Sequence, residues 1–396
     1  MVQRYKSIVV GRGMMGAAAA RYLALEGDGV AVIGPDEPKD WANHHGVFSS
    51  HYDEARITRT IDSDPIWARM ANRSIARYGD IATESGVDFY AEVGCLIVGP
   101  KRGGRDPYVG QIEAAAQQLG VAVEILSDAA LASRFRYFEF GSDFEGVYEQ
   151  ANAGYVNPRK LVEAQSILAE KAGATVVRRT AVSVREEGGL AIVTTDDGAV
   201  YTAERVLIAA GGFSINENLV PRPLDLKVYG RTVAFFEIAD EDLAAYSGMP
   251  SLIHQSDNPT DHIYLLPPVR YPDGKTYLKI GGDPDDLQLD VEPEIRAWFR
   301  RGGRLTTRDH LHRIITGLVP TLSGAPISMA ACVTSFTPSN YPAIGFASEH
   351  IAVLTGGCGA AAKSSDEIGR LGAEIMQHGR IIDDVYGDVF RPVFRN

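Results

Sequence analysis

The 396-residue sequence has only three cysteines, no excess of positive charge and no long hydrophobic run. Cys95, Cys332 and Cys358 are far apart and odd in number, which excludes a disulfide framework and a zinc-binding spacing. The net charge of −12 argues against a nucleic-acid partner, because such partners require clustered lysine and arginine. No apolar run approaches the roughly 18 residues of a membrane span, so we expect no membrane partner.

The sequence also shows neither the pattern of a secretory leader nor that of a metal-binding cluster. The first residues reach an apolar strand without a basic and then hydrophobic leader, which predicts a cytoplasmic protein. His44, His45 and His51 have no matching downstream cluster of Cys, His or carboxylate residues, so we predict no metal site. The length permits two domains or one large α/β body with an insertion.

The most informative motif is Gly11-Arg12-Gly13-Met14-Met15-Gly16. It lies between a predicted strand, Tyr5–Val10, and a predicted helix, Met14–Glu26, and a second apolar strand follows at Val30–Ile33. This order is typical of a dinucleotide-binding βαβ unit. A glycine turn of this kind also occurs for packing alone, and the motif leaves NAD, NADP and FAD open.

Each glycine of the motif has its own predicted role. Gly11 allows a sharp turn, Gly13 lets a pyrophosphate approach the backbone, and Gly16 lets the helix pack closely on the strand. The N–H groups of the first helical turn, which begins at Met14 and Met15, face the phosphates, where the helix dipole favours negative charge.

The end of the second strand lacks the usual acid. A dinucleotide site places an acidic residue there to bind ribose hydroxyls, but Gly34 occupies that position and Asp36 follows two residues later. Asp36 either replaces the missing acid or is a solvated loop carboxylate. Arg12 either reaches a phosphate or is a tolerated turn residue.

The order of elements along the chain predicts a discontinuous domain. Asp64 is the predicted N-cap of a helix over Pro65–Thr83. The nucleotide-binding unit is opened by insertions, resumes near Val206, and is completed by a strand at Ile351–Leu354 and a helix over Ser365–His378. The predicted strands between them are Thr175–Arg178, Val182–Glu186, Leu190–Thr195, Ala199–Tyr201 and Val206–Ala210.

We therefore predict an α/β protein with α+β insertions. Residues 1–85, 151–225 and 326–396 form a discontinuous Rossmann-like nucleotide-binding domain. Residues 86–150 and 226–325 form a substrate domain built on an antiparallel sheet.

Three further residues could carry chemistry. Arg59 has the fork geometry that binds carboxylates, although its polar segment also fits a surface charge run. Cys332 is either a buried structural thiol or a nucleophile or covalent tether. Lys363 follows a strand and a glycine cluster, and either pairs with an anionic substrate or is solvated.

In their shared order these segments resemble the amine-oxidising flavoproteins of the D-amino-acid oxidase superfamily, and most closely the monomeric sarcosine oxidase type. The resemblance runs nearly end to end. The matching segments are Gly11–Gly16, Ser50–Arg59, Val93–Pro100, Gly154–Val156, Ala209–Gly212, Ala234–Glu237, Tyr277–Lys279, the strand around Cys332, and Gly357–Gly359 with Lys363–Ser365.

The resemblance implies that the cofactor is FAD, attached covalently through Cys332 to the flavin 8α-methyl. Lys279 corresponds to a lysine near flavin N5 that promotes reaction with O2, because a cation stabilises superoxide. Arg59 and Lys363 correspond to a pair that clamps the substrate carboxylate, and Tyr264 and Leu265 lie beside the substrate. The implied FAD-binding residues are Gly11, Gly13, Met14, Met15, Gly16, Asp36, Ser50, His51, Arg56, Cys332, Gly357, Gly359 and Lys363.

The sequence departs from this pattern around the substrate. Leu265 stands in place of a tyrosine, and Asp283 and Cys358 each stand in place of a histidine. Ala360-Ala361-Ala362 implies an insertion of about two residues before Lys363. The reaction class is therefore better supported than the substrate.

The resulting hypothesis is an FAD-dependent oxidase of a secondary amino acid that transfers a hydride from the α-carbon to the flavin and reduces O2 to H2O2. The expected partners are O2 and a small secondary amine of N-alkyl glycine type: sarcosine, another N-methyl amino acid, or iminodiacetate. Iminodiacetate requires an extra cation, for which Arg231 and Arg270 are candidates. We expect a monomer. The alternatives are a flavin dehydrogenase that passes electrons to a carrier, against which Lys279 argues, and a nucleotide-binding protein without redox activity or with noncovalent NAD.

Overall fold

The computed structural model describes residues 3–104 and 106–395. The strands are β1 (Gln3–Val10), β2 (Val30–Ile33), β3 (Arg56–Thr58), β4 (Tyr90–Ala91), β5 (Cys95–Pro100), β6 (Glu124–Leu126), β7 (Phe144–Glu149), β8 (Gly154–Val156), β9 (Thr175–Val177), β10 (Ala181–Glu187), β11 (Leu190–Thr195), β12 (Val200–Ile208), β13 (Lys227–Ile238), β14 (Ser251–His254), β15 (Ile263–Arg270), β16 (Thr276–Gly281), β17 (Leu287–Leu289), β18 (Ile327–Phe336), β19 (Ala343–Phe346) and β20 (Ile351–Thr355).

The α-helices of the described residues are α1 (Met14–Leu25), α2 (Pro65–Ser85), α3 (Tyr108–Leu119), α4 (Asp128–Arg134), α5 (Pro158–Lys171), α6 (Glu292–Arg301), α7 (Leu305–Leu318) and α8 (Ser365–His378). The start of α2 follows from its sequence. The Asp64 side chain accepts hydrogen bonds from the N–H groups of Ile66 and Trp67, and Pro65 is the first helical residue. The predicted cap is confirmed.

The first sheet has a parallel centre in the order β9-β2-β1-β12-β20. All four residues of β2 are buried, as expected for a parallel strand covered on both faces. The antiparallel strands β10 and β11 extend the sheet beside β12, and β19 pairs with β20. The strands predicted at Ala199–Tyr201 and Val206–Ala210 are one strand, β12, because its two halves pair in turn with β11 and β20.

The second sheet has the order β17-β13-β16-β15-β14-β5-β7-β6 and is antiparallel except between β14 and β5. Its strand β18 pairs with β13 over ten residues, including Cys332 opposite Arg231. The strand that carries Cys332 therefore belongs by its hydrogen bonds to the sheet of the substrate domain, although our division groups residues 326–396 with the nucleotide-binding segments. The strands β3, β8 and β4 form a third, small sheet.

Buried charged groups join the C-terminal helix α8 to the helices α1 and α2. Asp366 and Glu367 in its first turn have no exposed side-chain surface. Asp366 accepts hydrogen bonds from Arg21 of α1 at 2.8 Å and Arg77 of α2 at 2.6 Å, and Arg77 also reaches Glu367 at 2.6 Å. This network ties three helices that are distant in sequence. Within residues 3–104 and 106–395 no helix is long and apolar enough to span a bilayer.

Candidate active site

A first cavity, with an empty volume of about 1030 Å³, opens at the carboxyl ends of β1 and β2. This is the edge at which parallel α/β sheets bind ligands. The predicted residues that border it are Gly11, Gly13, Met14, Met15, Ser50 and His51. Burial, followed by the charge of Arg12, lowers the pKa of His51 to about 3, so this imidazole is neutral at physiological pH.

The glycine motif has the shape that a dinucleotide requires. A Cβ on Gly11, whose φ is +106°, would lie 2.3 Å from the carbonyl oxygen of Ala209, and a Cβ on Gly16 would lie 1.9 Å from the carbonyl oxygen of Gly11. Gly16 is therefore a packing residue and does not border the cavity. A Cβ on Gly13 would meet only His51 Nδ1 and Ser49 Oγ, both at 3.7 Å, so its backbone is open to a ligand.

The start of α1 has no internal partner for its first N–H groups. Gly13 is the N-cap, no side chain caps the helix, and its first turn contains no acidic residue. Free N–H groups and the positive end of the helix dipole at a cavity wall favour a phosphate group. The residues present therefore fit the pyrophosphate of FAD.

Gly34 is explained by sterics. A Cβ at this position would lie 2.7 Å from both the Cβ and the backbone nitrogen of Arg12, so no acidic side chain fits there. Asp36 forms an ion pair with the Arg12 guanidinium, its side chain is 61% exposed, and it does not border the first cavity. A ribose contact from Asp36 stays a prediction.

A second cavity, with an empty volume of about 1370 Å³, is bordered by strands of the second sheet, by β3 and by residues of the segment Gly359–Lys363 that follows β20. It is bordered by these predicted residues: Arg56, Arg59, Tyr264, Cys332, Gly359 and Lys363. The strand β18 separates it from the first cavity. Because side chains alternate along a strand, Cys332, Thr334 and Phe336 face the second cavity while Val333 faces the first.

Cys332 lies on β18, the strand between the two cavities, and borders the second one. Its thiol sulfur is half-buried and lies 3.6 Å from Arg56 Nη2. The strand position is fixed by the Trp298 indole N–H, which donates to the Cys332 carbonyl at 2.8 Å, and by Ser50 Oγ, which donates to the Val333 carbonyl at 2.9 Å. A free thiol beside a cation, on the strand between the two cavities, fits a flavin attachment point.

Arg59 and Lys363, which we call the carboxylate clamp, come from distant segments and meet at one end of the second cavity. Both are held by Asp62, whose Oδ2 lies 3.2 Å from Arg59 Nη2 and 2.9 Å from Lys363 Nζ. Burial, followed by repulsion from Arg59, lowers the pKa of Lys363 to about 8, although Asp62 opposes this change. The Ala360–Ala362 segment does not displace Lys363, because a short 3-10 helix over Ala362–Ser364 delivers it to the cavity.

Lys279 is placed differently from the other predicted residues. It is 1% exposed and borders neither cavity. Its Nζ donates to Asp53 Oδ2 at 2.6 Å and to the carbonyl of Ala55, and it lies 5.9 Å from the ring centroid of Tyr264, which does border the second cavity. Lys279 therefore lies one layer behind the cavity wall.

Two other predicted residues lie outside the cavities. Leu265 is fully buried in the core of the second sheet, on the face of β15 opposite to Tyr264, because neighbouring side chains in a strand point to opposite faces. Gly357 borders neither cavity. Asp283, in contrast, borders the second cavity with a 3% exposed side chain, and burial raises its pKa.

Sequence reasoning did not select three residues that the structure brings to the site. Asp62 and Asp53 neutralise predicted cations, and their only sequence signal is a position three residues from an arginine. His254 borders the second cavity, and neither of its ring nitrogens has a hydrogen-bond partner in the described part of the chain. Burial lowers the pKa of His254 to about 4, and nothing in its local sequence marks it.

Comparisons with known proteins agree with this geometry. Residues 6–375 match the family described as DAO, FAD dependent oxidoreductase. The chain is 25% identical to monomeric sarcosine oxidase of Bacillus sp. strain NS-129, covering 97% of this chain and 96% of the relative. It is 24% identical to N-methyl-L-tryptophan oxidase of Citrobacter koseri, covering 94% and 95%.

Solved structures share the fold. NikD, an unusual amino acid oxidase essential for nikkomycin biosynthesis, superposes with a TM-score of 0.79 at 20% identity, covering 100% of this chain and 99% of that chain. Iminodiacetate oxidase from Chelativorans sp. BNC1 gives a TM-score of 0.74 at 19% identity, covering 98% and 99%. The predicted fold class and the resemblance stated from sequence are confirmed, and the chain belongs to the DAO family of FAD-dependent oxidoreductases.

Proposed function

We propose that this protein is an FAD-dependent oxidase of a secondary amino acid of the N-alkyl glycine class. The observation that carries the proposal is the carboxylate clamp in a cavity that only the strand of Cys332 and Val333 separates from the dinucleotide cavity. Relatives named as oxidases of sarcosine and N-methyl-L-tryptophan support the same class. The relative named monomeric sarcosine oxidase also supports a monomer.

Each group of the site has a role in this reaction. The clamp binds the substrate carboxylate through charge-assisted hydrogen bonds and so orients the α-carbon toward the boundary between the cavities. The amine reacts in its unprotonated form, loses a hydride equivalent from the α-carbon, and leaves as an imine that water hydrolyses to an amine and an aldehyde or 2-oxo acid. FAD, when bound, would accept the hydride equivalent and pass two electrons to O2, which is reduced to H2O2. We further propose that Cys332 forms the covalent link to the flavin.

A second candidate function is a flavin dehydrogenase that uses an electron carrier. The pairing of Lys279 with Asp53 favours it, because a neutralised cation stabilises superoxide less than a free one. Purified protein should be yellow, and N-alkyl glycines and D- and L-amino acids should be screened for flavin bleaching without oxygen and for peroxide release in air. Bleaching without peroxide would select the dehydrogenase, and a colourless protein would overturn both.

A further inference from the structure

The carboxylate clamp already holds a carboxylate that belongs to the chain. Asp62 Oδ2 accepts from Arg59 and Lys363, and its Oδ1 accepts the N–H of Asp64 at 3.1 Å. Asp62 is 14% exposed and lies behind the two cations, because Arg59 and Lys363 border the second cavity and Asp62 does not. The triad is therefore open to a ligand only on the side of its two cations.

The triad carries one net positive charge, from two cations and one carboxylate. In a buried place an uncompensated ion is costly, so the site is complementary to one further negative charge. The Nε of Arg59 is buried without a hydrogen-bond partner among the described residues. Glu149, another carboxyl group whose charge acts on Arg59, has a pKa raised by burial, which favours its neutral form, so a single substrate carboxylate completes the charge balance here.

Outside the clamp, each arginine that borders the second cavity already has a carboxylate partner. Arg231 Nη2 is 2.6 Å from Asp286, and its Nε donates to Thr334 Oγ1 at 3.0 Å. Arg56 forms an ion pair with Asp53, which Lys279 also contacts; Lys279 does not border the cavity, and burial lowers its pKa well below the ordinary value. Arg270, the other candidate for a second carboxylate, is paired with Asp240 and does not border the cavity, whereas Asp283 adds a buried carboxyl group to its wall.

We propose that Asp62 determines substrate specificity: it sets the charge of the clamp so that the cavity accepts secondary amines with one carboxylate and discriminates against dicarboxylates such as iminodiacetate. The inference rests on the proposed function, because it assigns the substrate class of the same site.

The titration of Lys363 offers an independent readout of Asp62. The charged and titratable groups that face Lys363 are Arg59, Asp62, Asp64 and Cys95, and Tyr78 donates its hydroxyl to the Lys363 carbonyl. Asp62 is the group that hydrogen-bonds the ammonium. Removing it lowers the Lys363 pKa further below about 8, so the clamp loses a charge at lower pH.

The experiment measures binding of two ethers to the holoenzyme by flavin absorbance. Methoxyacetate and diglycolate reproduce sarcosine and iminodiacetate with an ether oxygen in place of the amine, so neither can be oxidised as an amine or titrate near neutrality. We expect the wild-type protein to bind methoxyacetate more tightly than diglycolate. Its affinity for methoxyacetate should fall as pH rises through about 8. Asp62→Asn should move the midpoint of this pH dependence to lower pH by about one unit. Below the midpoint, it should raise the affinity for diglycolate relative to methoxyacetate by about ten-fold compared with the wild type.

Two variants control the result. Asp64→Asn removes a neighbouring carboxylate that faces Lys363 without hydrogen-bonding it, while an amide oxygen can still cap α2, so it should change the preference and the midpoint less than Asp62→Asn does. Lys363→Arg should abolish the pH dependence near 8 and keep the preference for one carboxylate, because Asp62 and the second cation remain. Asp62→Ser, which also removes the carboxylate, tests the inference if Asp62→Asn does not fold.

An unchanged preference and midpoint in Asp62→Asn would overturn the inference, even if amines reduce the flavin and the proposed function stands. Conversely, a shifted midpoint and preference in a protein whose flavin no amine reduces would support Asp62 and reject the proposed function.

Discussion

Lys279 Nζ and Asp53 Oδ2 lie 2.6 Å apart in the interior of the protein, and both side chains are almost fully buried. Asp53 also pairs with Arg56 and accepts the Tyr271 hydroxyl at 2.7 Å. Burial and the neighbouring Arg56 lower the pKa of Lys279, whereas the contact with Asp53 favours its charged form. The lysine expected to activate O2 thus shares its charge with a carboxylate.

We predict that Lys279→Met slows reoxidation of the reduced flavin by O2 at least about ten-fold, while reduction by substrate changes much less. The reason is that a positive charge near the flavin stabilises superoxide, whereas substrate binding depends on the clamp. Stopped-flow absorbance measures both half-reactions. Lys275→Met is the matched control. Lys275 lies on the same β15–β16 hairpin as Lys279, but it is exposed and is paired with Glu237 of β13. An unchanged reoxidation rate in Lys279→Met would remove Lys279 from O2 chemistry.

Cys332 should retain flavin on the polypeptide. After acid precipitation we expect the yellow colour in the pellet for wild-type protein and in the supernatant for Cys332→Ser. Cys358→Ser, which changes another half-buried free thiol, should behave like wild type. Flavin in the wild-type supernatant would reject the covalent link without affecting the oxidase proposal.

Arg59→Ala should weaken methoxyacetate binding by about 2–5 kcal/mol, the range for truncating one partner of a buried charge pair. Arg59→Lys should recover part of the loss, because it keeps the charge but not the fork of donors. Titration at pH 7, with thermal unfolding as a check on folding, measures the effect. Wild-type affinity in Arg59→Ala would mean that the carboxylate binds elsewhere.

Gly13→Ala should reduce the FAD content of the purified protein while leaving the fold intact. Its Cβ meets no atom closer than 3.7 Å but occupies the backbone face left open to the pyrophosphate. Gly27→Ala, with no atom within 4 Å and outside the cavity, is the control. The flavin-to-protein absorbance ratio decides the result, and equal ratios in the two variants would contradict the predicted phosphate position.

Glu367 should make stability depend on acid pH. Burial alone raises its pKa, but the hydrogen bonds and charges of Arg370 and Arg77 outweigh burial and lower the pKa to about 2. A depressed carboxyl pKa stabilises the fold above the ordinary value of 4.5, and this contribution is lost as pH falls from there toward 2. The difference corresponds to about 3 kcal/mol at pH 7.

Urea unfolding of Glu367→Gln at pH 7 and pH 3.5 tests this linkage. The variant should be less stable than wild type at pH 7 and should lose less stability on acidification. Glu163→Gln, at an exposed position of α5, should retain the wild-type pH dependence. Parallel stability curves for wild type and Glu367→Gln would show that the network does not titrate as expected.

The local part of the fold could be predicted because short-range rules decide it. The glycine turn, the start of α1 and the Asp64 cap each depend on residues within one or two turns of the chain. The continuity of β12 depends on two partners that are distant from each other in sequence, β11 and β20, so local patterns alone predict two strands. Leu265 was placed at the site by resemblance, but the pleat of β15 directs it into the core.

By itself the sequence determined the dinucleotide-binding start, the discontinuous α/β layout and the resemblance to amine-oxidising flavoproteins, because glycine geometry, periodicity and motif order are all read along the chain. Only the tertiary structure decided the charge state of the site. Asp62 and Asp53 become counter-ions of Lys363 and Lys279 across separations of 301 and 226 residues. Electrostatic interactions depend on distance and burial in space, so the charge that a substrate or O2 encounters cannot be read from residue order.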